Sequence, residues 1–226
     1  MSKQKLKESL ELLNFSQEKI AQIIEKLDFY INEIILFNSA YNLTNTSDYS
    51  EIAINHILDS LSAVEIFKNL TQEISSEKIE FADIGSGGGL PGIPLAIVFP
   101  EFNFNLVERM DKRCAFLENE KALLNLNNVK VIKSEAEKIK PNSFDITTFR
   151  AFRPLDEHFA KTLLNITKQN GFLAAYKAKK TSIQSEMAAI KQIIPEYKIK
   201  ELSVPFLTQN SSSNDRERNL VIVKKI

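Results

Sequence analysis

The chain has 226 residues, 43% of them hydrophobic and 26% charged, the balance of an ordinary soluble globular protein long enough to bury a large core. One cysteine, Cys114, and two histidines, His56 and His158, exclude a disulfide framework and argue against a Cys- or His-rich metal site. Basic and acidic side chains number 29 each, but the first 80 residues hold 7 basic and 13 acidic while the remainder holds 22 and 16, a split that fits a polyanionic partner for the C-terminal part and equally a solvated basic surface.

The start, Met1-Ser2-Lys3-Gln4-Lys5-Leu6, interleaves charge with leucine, unlike a signal peptide, and no apolar run approaches the ~20 residues that span a bilayer. A cytoplasmic protein with no membrane partner and no metal is expected. Leu6, Leu10 and Leu13, then Ile20, Ile23, Ile24, Leu27, Ile31, Ile34 and Ile35 recur at helical spacing. Asn14-Phe15-Ser16 breaks the run, and Ser16 is the predicted N-cap of the second helix. A polar loop over 41–47 leads to a further helix over about 49–70 that carries His56, Asp59 and Ser60. These three share one helix face, whereas a hydrolase nucleophile belongs on a strained turn. They are read as a buried polar link between the N-terminal helices and a sheet.

After Ser75-Ser76 the rhythm changes to strands at 78–84, 103–108, 129–134, 144–149 and 171–176, with helices near 93–99, 112–126, 155–167 and 183–194. That alternation predicts a doubly wound, mostly parallel α/β sheet. Two last strands, 197–204 and 220–224, are joined without a helix across a loop containing Ser211-Ser212-Ser213, and are expected to add an antiparallel edge. The division expected is a helical extension over 1–75 and a Rossmann-like domain over 76–226.

Five of the six glycines fall between Gly85 and Gly92. The stretch Asp83-Ile84-Gly85-Ser86-Gly87-Gly88-Gly89-Leu90-Pro91-Gly92 reads as a strand, a turn and a helix start, the first βα unit of a nucleotide-type site. Bare backbone there lets a ligand approach closely, and the helix start favours an anionic group. The second strand ends in Glu108, 23 residues after Gly85, where a carboxylate can accept from ribose hydroxyls. A dinucleotide loop would want glycine at position 90, which is Leu90; the G-x-G-x-G form from Gly85 instead resembles that of S-adenosylmethionine-dependent methyltransferases.

Several segments together resemble one family: Tyr41-Asn42-Leu43-Thr44, His56-Ile57-Leu58-Asp59-Ser60, Gly85 to Ala96, Lys112-Arg113-Cys114-Ala115-Phe116-Leu117 and Phe149-Arg150-Ala151. Their order and spacing are similar to those of the ribosomal RNA small-subunit methyltransferase G family, also called glucose-inhibited division protein B. The resemblance implies a class I S-adenosylmethionine-dependent methyltransferase fold with an N-terminal helical extension. It also implies methyl transfer to N7 of a guanine in bacterial small-subunit (16S) ribosomal RNA, presented free or in a ribosomal particle. The alternative is a catalytically silent, cofactor-binding assembly factor. Carried over by position, the cofactor contacts fall on Gly85, Leu90, Ala136, Glu137 and Arg150, with Glu108 at the acidic position expected for ribose; Gly87 and Gly89 of the glycine loop are further cofactor-binding candidates. Two positions depart from the family's pattern: Glu108 stands where an aspartate is frequent, and Glu135 where an arginine is common.

The residues fit that chemistry. Cytosine C5 methylation needs a cysteine nucleophile, and Cys114 sits one helical turn from Leu117 as a core thiol. Guanine N7 offers a lone pair that is unprotonated at neutral pH, so alignment suffices and no general base is expected. Arg150, ending the fourth strand, is the one catalytic candidate: its fork suits a cofactor carboxylate, a phosphate or guanine O6. Lys112, Arg113, Lys177 and Arg218 are the main RNA-binding candidates, with Arg109, Arg153, Lys179, Lys180 and Arg216 as further phosphate contacts. Lys112 and Arg113 open a helix, against its dipole, which favours an external anion. His158 is read as a surface residue, and the protein as a monomer.

Overall fold

A computed structural model of the protein describes residues 2–150, 154–208 and 216–226; Ala151, Arg153 and the serine run 211–213 lie outside them. Two helices open the chain, α1 (Lys3–Leu12) and α2 (Gln17–Tyr41). Ser16 caps α2 as expected, its hydroxyl accepting from the Lys19 amide at 3.2 Å. The single helix expected over 49–70 is instead α3 (Tyr49–Ile52), a π-turn (Ala53–Leu58), α4 (Asp59–Leu61) and α5 (Val64–Gln72). Arg150, far along the chain, donates to the Asn55 carbonyl within the π-turn.

Seven strands come next: β1 (Glu80–Ile84), β2 (Asn103–Glu108), β3 (Val129–Lys133), β4 (Phe144–Arg150), β5 (Thr167–Lys177), β6 (Lys198–Glu201) and β7 (Asn219–Lys224). Between them lie α6 (Gly92–Val98), α7 (Asp111–Leu123), α8 (Glu157–Ile166) and α9 (Lys180–Ala189). The helix α7 stops short of the expected residue 126 because Asn125 takes a left-handed conformation, φ 52°. The sheet order is β3-β2-β1-β4-β5-β7-β6. Strands β1 to β5 pair in parallel, and β7 runs antiparallel to both β5 and β6. The antiparallel addition is therefore at one edge, with the later strand inside and β6 outermost.

Alternation along the strands decides which core each side chain joins. On β5, Phe172, Ala174 and Tyr176 enter one core with α1, α2, α5, α6 and α7, while Leu173 and Ala175 enter the other with α8 and α9. The first core is continuous from Leu6 and Tyr30 through Phe67 to Phe81 and Phe104. The stacked pair Phe81 and Phe104, ring centroids 4.7 Å apart, ties β1 to β2. This packing sets the N-terminal helices against the carboxyl ends of the parallel strands, where a doubly wound sheet holds its ligands.

Candidate active site

The strand β1 ends in Asp83 and Ile84, and the chain then turns through the glycine loop. Gly85, Gly87 and Gly89 have φ of 68°, 59° and 88°, values an L side chain rarely adopts. The Asp83 carboxylate, buried beneath the loop, accepts from the Ser86 hydroxyl at 2.7 Å and from the Gly92 amide at 3.0 Å. Burial pushes its pKa up to about 6 against those two hydrogen bonds.

Glu108 holds the loop from the other side. Its Oε2 accepts from the Gly87 amide at 2.9 Å, and its Oε1 from the Arg109 and Met110 amides at 2.8 and 2.9 Å. A carboxylate has about four acceptor sites, and three of those of Glu108 are spent on backbone amides.

Two cavities meet at Gly85. The smaller, about 460 Å³, lies over the ends of β1, β2 and β3 and is lined by Glu108, Ala136 and Glu137 among others. The larger, about 1090 Å³, is lined by Gly85, Gly87, Gly88, Leu90, Arg113, Arg150, Lys177 and Arg218, and by Leu43, Asn45, Asn55, His56 and Asp59 from the N-terminal segment. The sequence-derived cofactor residues other than Gly89, together with Arg109, Arg113, Lys177 and Arg218, therefore line one cavity or the other, while Lys112, Lys179, Lys180 and Arg216 line neither. Gly89 faces neither cavity; a Cβ there would come within 2.5 Å of the Ile93 side chain and 2.9 Å of the Tyr30 hydroxyl. Lys112 lies exposed on the first turn of α7, off both cavity walls.

Arg150 is held by the N-terminal segment. Its Nη1 donates to the Asn55 carbonyl at 3.1 Å and to Asp59 Oδ2 at 2.9 Å, and its Nη2 stands 3.1 Å from His56 Nδ1. A π-turn turns out carbonyls that the α-helical ladder would have satisfied, and the arginine fork collects them. Because a guanidinium only donates, His56 Nδ1 accepts and the ring proton sits on Nε2. Burial, with the charges of Arg150 and Arg218, lowers the His56 pKa to about 3, so the ring is neutral. Asp59 also faces Arg218, Oδ1 to Nε 3.5 Å. The Tyr176 hydroxyl of β5 donates to the Ser60 carbonyl at 2.7 Å. His56, Asp59 and Ser60 form the polar link to the sheet read from the sequence.

The remaining cations are partly committed. Lys177 pairs with Glu186 at 2.6 Å and lies 5.3 Å from the Phe149 ring centroid. Lys180 pairs with Glu201 at 3.0 Å, and Arg113 donates to the Asn42 carbonyl at 3.3 Å. The Cys114 thiol is buried with Sγ 3.3 Å from the Glu108 carbonyl, and burial, with Glu108 and Asp111, raises its pKa; it is a core thiol. His158 is exposed. Sequence reasoning missed Tyr30 and Asn55 and named Leu43 only as part of the Tyr41–Thr44 segment; Asn55 adjoins the His-Ile-Leu-Asp-Ser segment, and Tyr30 left no signal.

The chain is similar to known proteins over most of its length. Residues 23–221 match the family model described as rRNA small subunit methyltransferase G. A protein of Treponema denticola named ribosomal RNA small subunit methyltransferase G is 40% identical, the match covering 97% of this chain and 93% of that one. One of the same name from Hydrogenovibrio crunogenus is 38% identical over 93% and 89%. Among solved structures, precorrin-6y C5,15-methyltransferase from Geobacter metallireducens superposes with a TM-score of 0.54 at 12% identity, over 74% of this chain and 88% of that chain. The tRNA (m1A58) methyltransferase from Aquifex aeolicus gives the same TM-score over 73% and 69%; at such identities these two speak for the fold alone. With the family model spanning most of the chain, the protein belongs to the rRNA small subunit methyltransferase G family.

Proposed function

We propose that the protein transfers a methyl group from S-adenosylmethionine to N7 of a guanine in small-subunit ribosomal RNA. The observation that carries this reading is the groove itself: a bare backbone at Gly85 shared by a small carboxylate-edged cavity and a larger one rimmed by arginines. When bound, the cofactor supplies a methyl group on a positively charged sulfur. Glu108, with its one unspent acceptor site, together with Ala136 and Glu137, would hold the adenosine side, and Gly85, Gly87 and Leu90 the amino-acid side. Arg150 fixes the wall facing the loop by tying the π-turn to β4. Guanine N7 has no proton to lose, so these residues need only orient the base. Among the described residues lining the larger cavity, His56 is neutral with its acceptor nitrogen occupied, and Asp59 and Glu186 are ion-paired. Arg113, Lys177, Arg218 and Lys112 are the proposed phosphate contacts. We read the protein as a cytoplasmic monomer, with residues 1–75 as a helical extension to the methyltransferase domain over 76–226.

The test uses small-subunit particles, and naked RNA prepared from them, from cells lacking the protein. Each is incubated with it and labelled S-adenosylmethionine, then treated with borohydride and aniline, which cleave at N7-methylguanine. Cleavage at one guanine, dependent on protein and cofactor, is expected. Label incorporated without such cleavage would overturn the N7 assignment, and absence of label in both substrates would overturn the enzymatic one.

A further inference from the structure

The glycine loop is shaped by its own backbone hydrogen bonds, and one residue stands apart. The Gly85 and Ser86 amides donate to the Val107 carbonyl, Gly87 to Glu108, and Gly89 and Leu90 to the Ser86 carbonyl. Of the amides of residues 85–90, that of Gly88 is the one with no partner among the described residues, and Gly88 lines the larger cavity. Its other atoms are clamped from the N-terminal segment. The hydroxyl of Tyr30, fully buried in α2, donates to the Gly88 carbonyl across 58 positions of sequence. On the other side, a Cβ added at Gly88 would stand 3.3 Å from the Leu43 Cβ. Leu43 belongs to a loop pinned by Asn38, whose side chain accepts from the Thr44 amide at 2.9 Å and donates to the Thr46 carbonyl at 2.9 Å.

We infer that Tyr30 is a positioning residue for the cofactor, fixing Gly88 so that its unspent amide faces an anionic group of the ligand. The inference rests on the proposed cofactor site. Glycine in such a loop has a wide choice of backbone angles, and an amide donor contributes to binding only when it is held in place beforehand. Tyr30 supplies that hold from an element that touches neither cavity. Its ring packs in the core with Ile31 and Ile34 close by in sequence, so phenylalanine fills the same volume and removes only the hydroxyl.

The test compares Tyr30→Phe with Tyr49→Phe. Tyr49 also sits in the N-terminal segment and also spends its hydroxyl, on Asp28 Oδ1 at 2.6 Å, away from the loop. Calorimetric titration with S-adenosylmethionine and with S-adenosylhomocysteine is expected to show binding weakened roughly tenfold in Tyr30→Phe, the weight of about one hydrogen bond, and unchanged in Tyr49→Phe. Hydrogen exchange in the peptide covering 85–90 is expected to quicken in the first variant only. In turnover, KM for the cofactor rises in Tyr30→Phe while kcat at saturating cofactor stays within about twofold of wild type. Equal binding by Tyr30→Phe and wild type, or equal weakening by both variants, would overturn the inference alone. Failure of the wild-type protein to bind either ligand would overturn the cofactor site itself and the inference with it.

Discussion

Arg150 joins the end of β4 to the π-turn through one buried side chain. Its guanidinium and the Asp59 carboxylate are both nearly inaccessible, 11% and 5% exposed. Removing Arg150 takes from the buried Asp59 its nearer partner and leaves Arg218, Nε at 3.5 Å, as the remaining countercharge. Arg150→Ala is therefore expected to lower stability by less than the ~3–5 kcal/mol of a pair left wholly uncompensated, read as a drop in the urea midpoint, before any effect on ligand is considered. A different carboxyl gives a pH-dependent case. Glu120 on α7 is buried with Oε2 unpartnered, and burial, reinforced by Glu33, raises its pKa to about 8 from an ordinary value of 4.5. The folded state thus keeps a proton that the unfolded chain releases, so stability is full below about pH 4.5 and declines as pH rises toward 8. Glu120→Gln, neutral at every pH, should leave the melting temperature almost unchanged at pH 4.5 and raise it at pH 8, by about 2–4 °C for each kcal/mol recovered. Equal shifts at both pH values would refute the assignment.

Elements here are joined by side chains that repair their ends. The last turn of α6 leaves carbonyls that no amide of its own helix reaches. Asn128, just before β3, directs its side-chain NH₂ toward the carbonyls of Ala96, Phe99 and Phe102 at 3.1, 3.1 and 3.2 Å. One amide thereby joins the end of α6, the turn after it and the approach to β2, and α6 is the helix that starts from the glycine loop. Asn128→Ala leaves those acceptors without this donor and is expected to cost about 1–3 kcal/mol, measured by thermal melts. The π-turn between α3 and α4 belongs to the same class of repair. Its Asn55 carbonyl meets Arg150, and the helix runs on through the π-turn to Leu61, so the break in the helix expected over 49–70 falls later, at the turn of Ser62 and Ala63.

Across the whole molecule, what was legible in the sequence was what is encoded locally. The span of β2, the N-cap at Ser16 and the placing of Gly85 and Glu108 at the ends of neighbouring strands come from periodicity and spacing over a few dozen residues. Contacts between distant segments left no such trace. Nothing in the stripe Leu27, Ile31, Ile34 announces that Tyr30 reaches Gly88. Nor does the position of Arg150 announce that its fork closes on a helix turn more than 90 residues earlier. Glu108 was found by position but only partly understood, because its bonds to three amides appear only once the loop folds back.

The placement of β7 between β5 and β6 also bears on damage to the chain. A nonsense codon or a proteolytic cut between residues 202 and 218 would delete an interior strand rather than trim a tail. The surviving protein would present β5 from Phe172 to Lys177 as an open hydrogen-bonding rim and leave β6 without its strand partner, the condition in which sheets recruit strands from other molecules. Fragments ending there should accumulate as aggregates instead of as shortened enzyme.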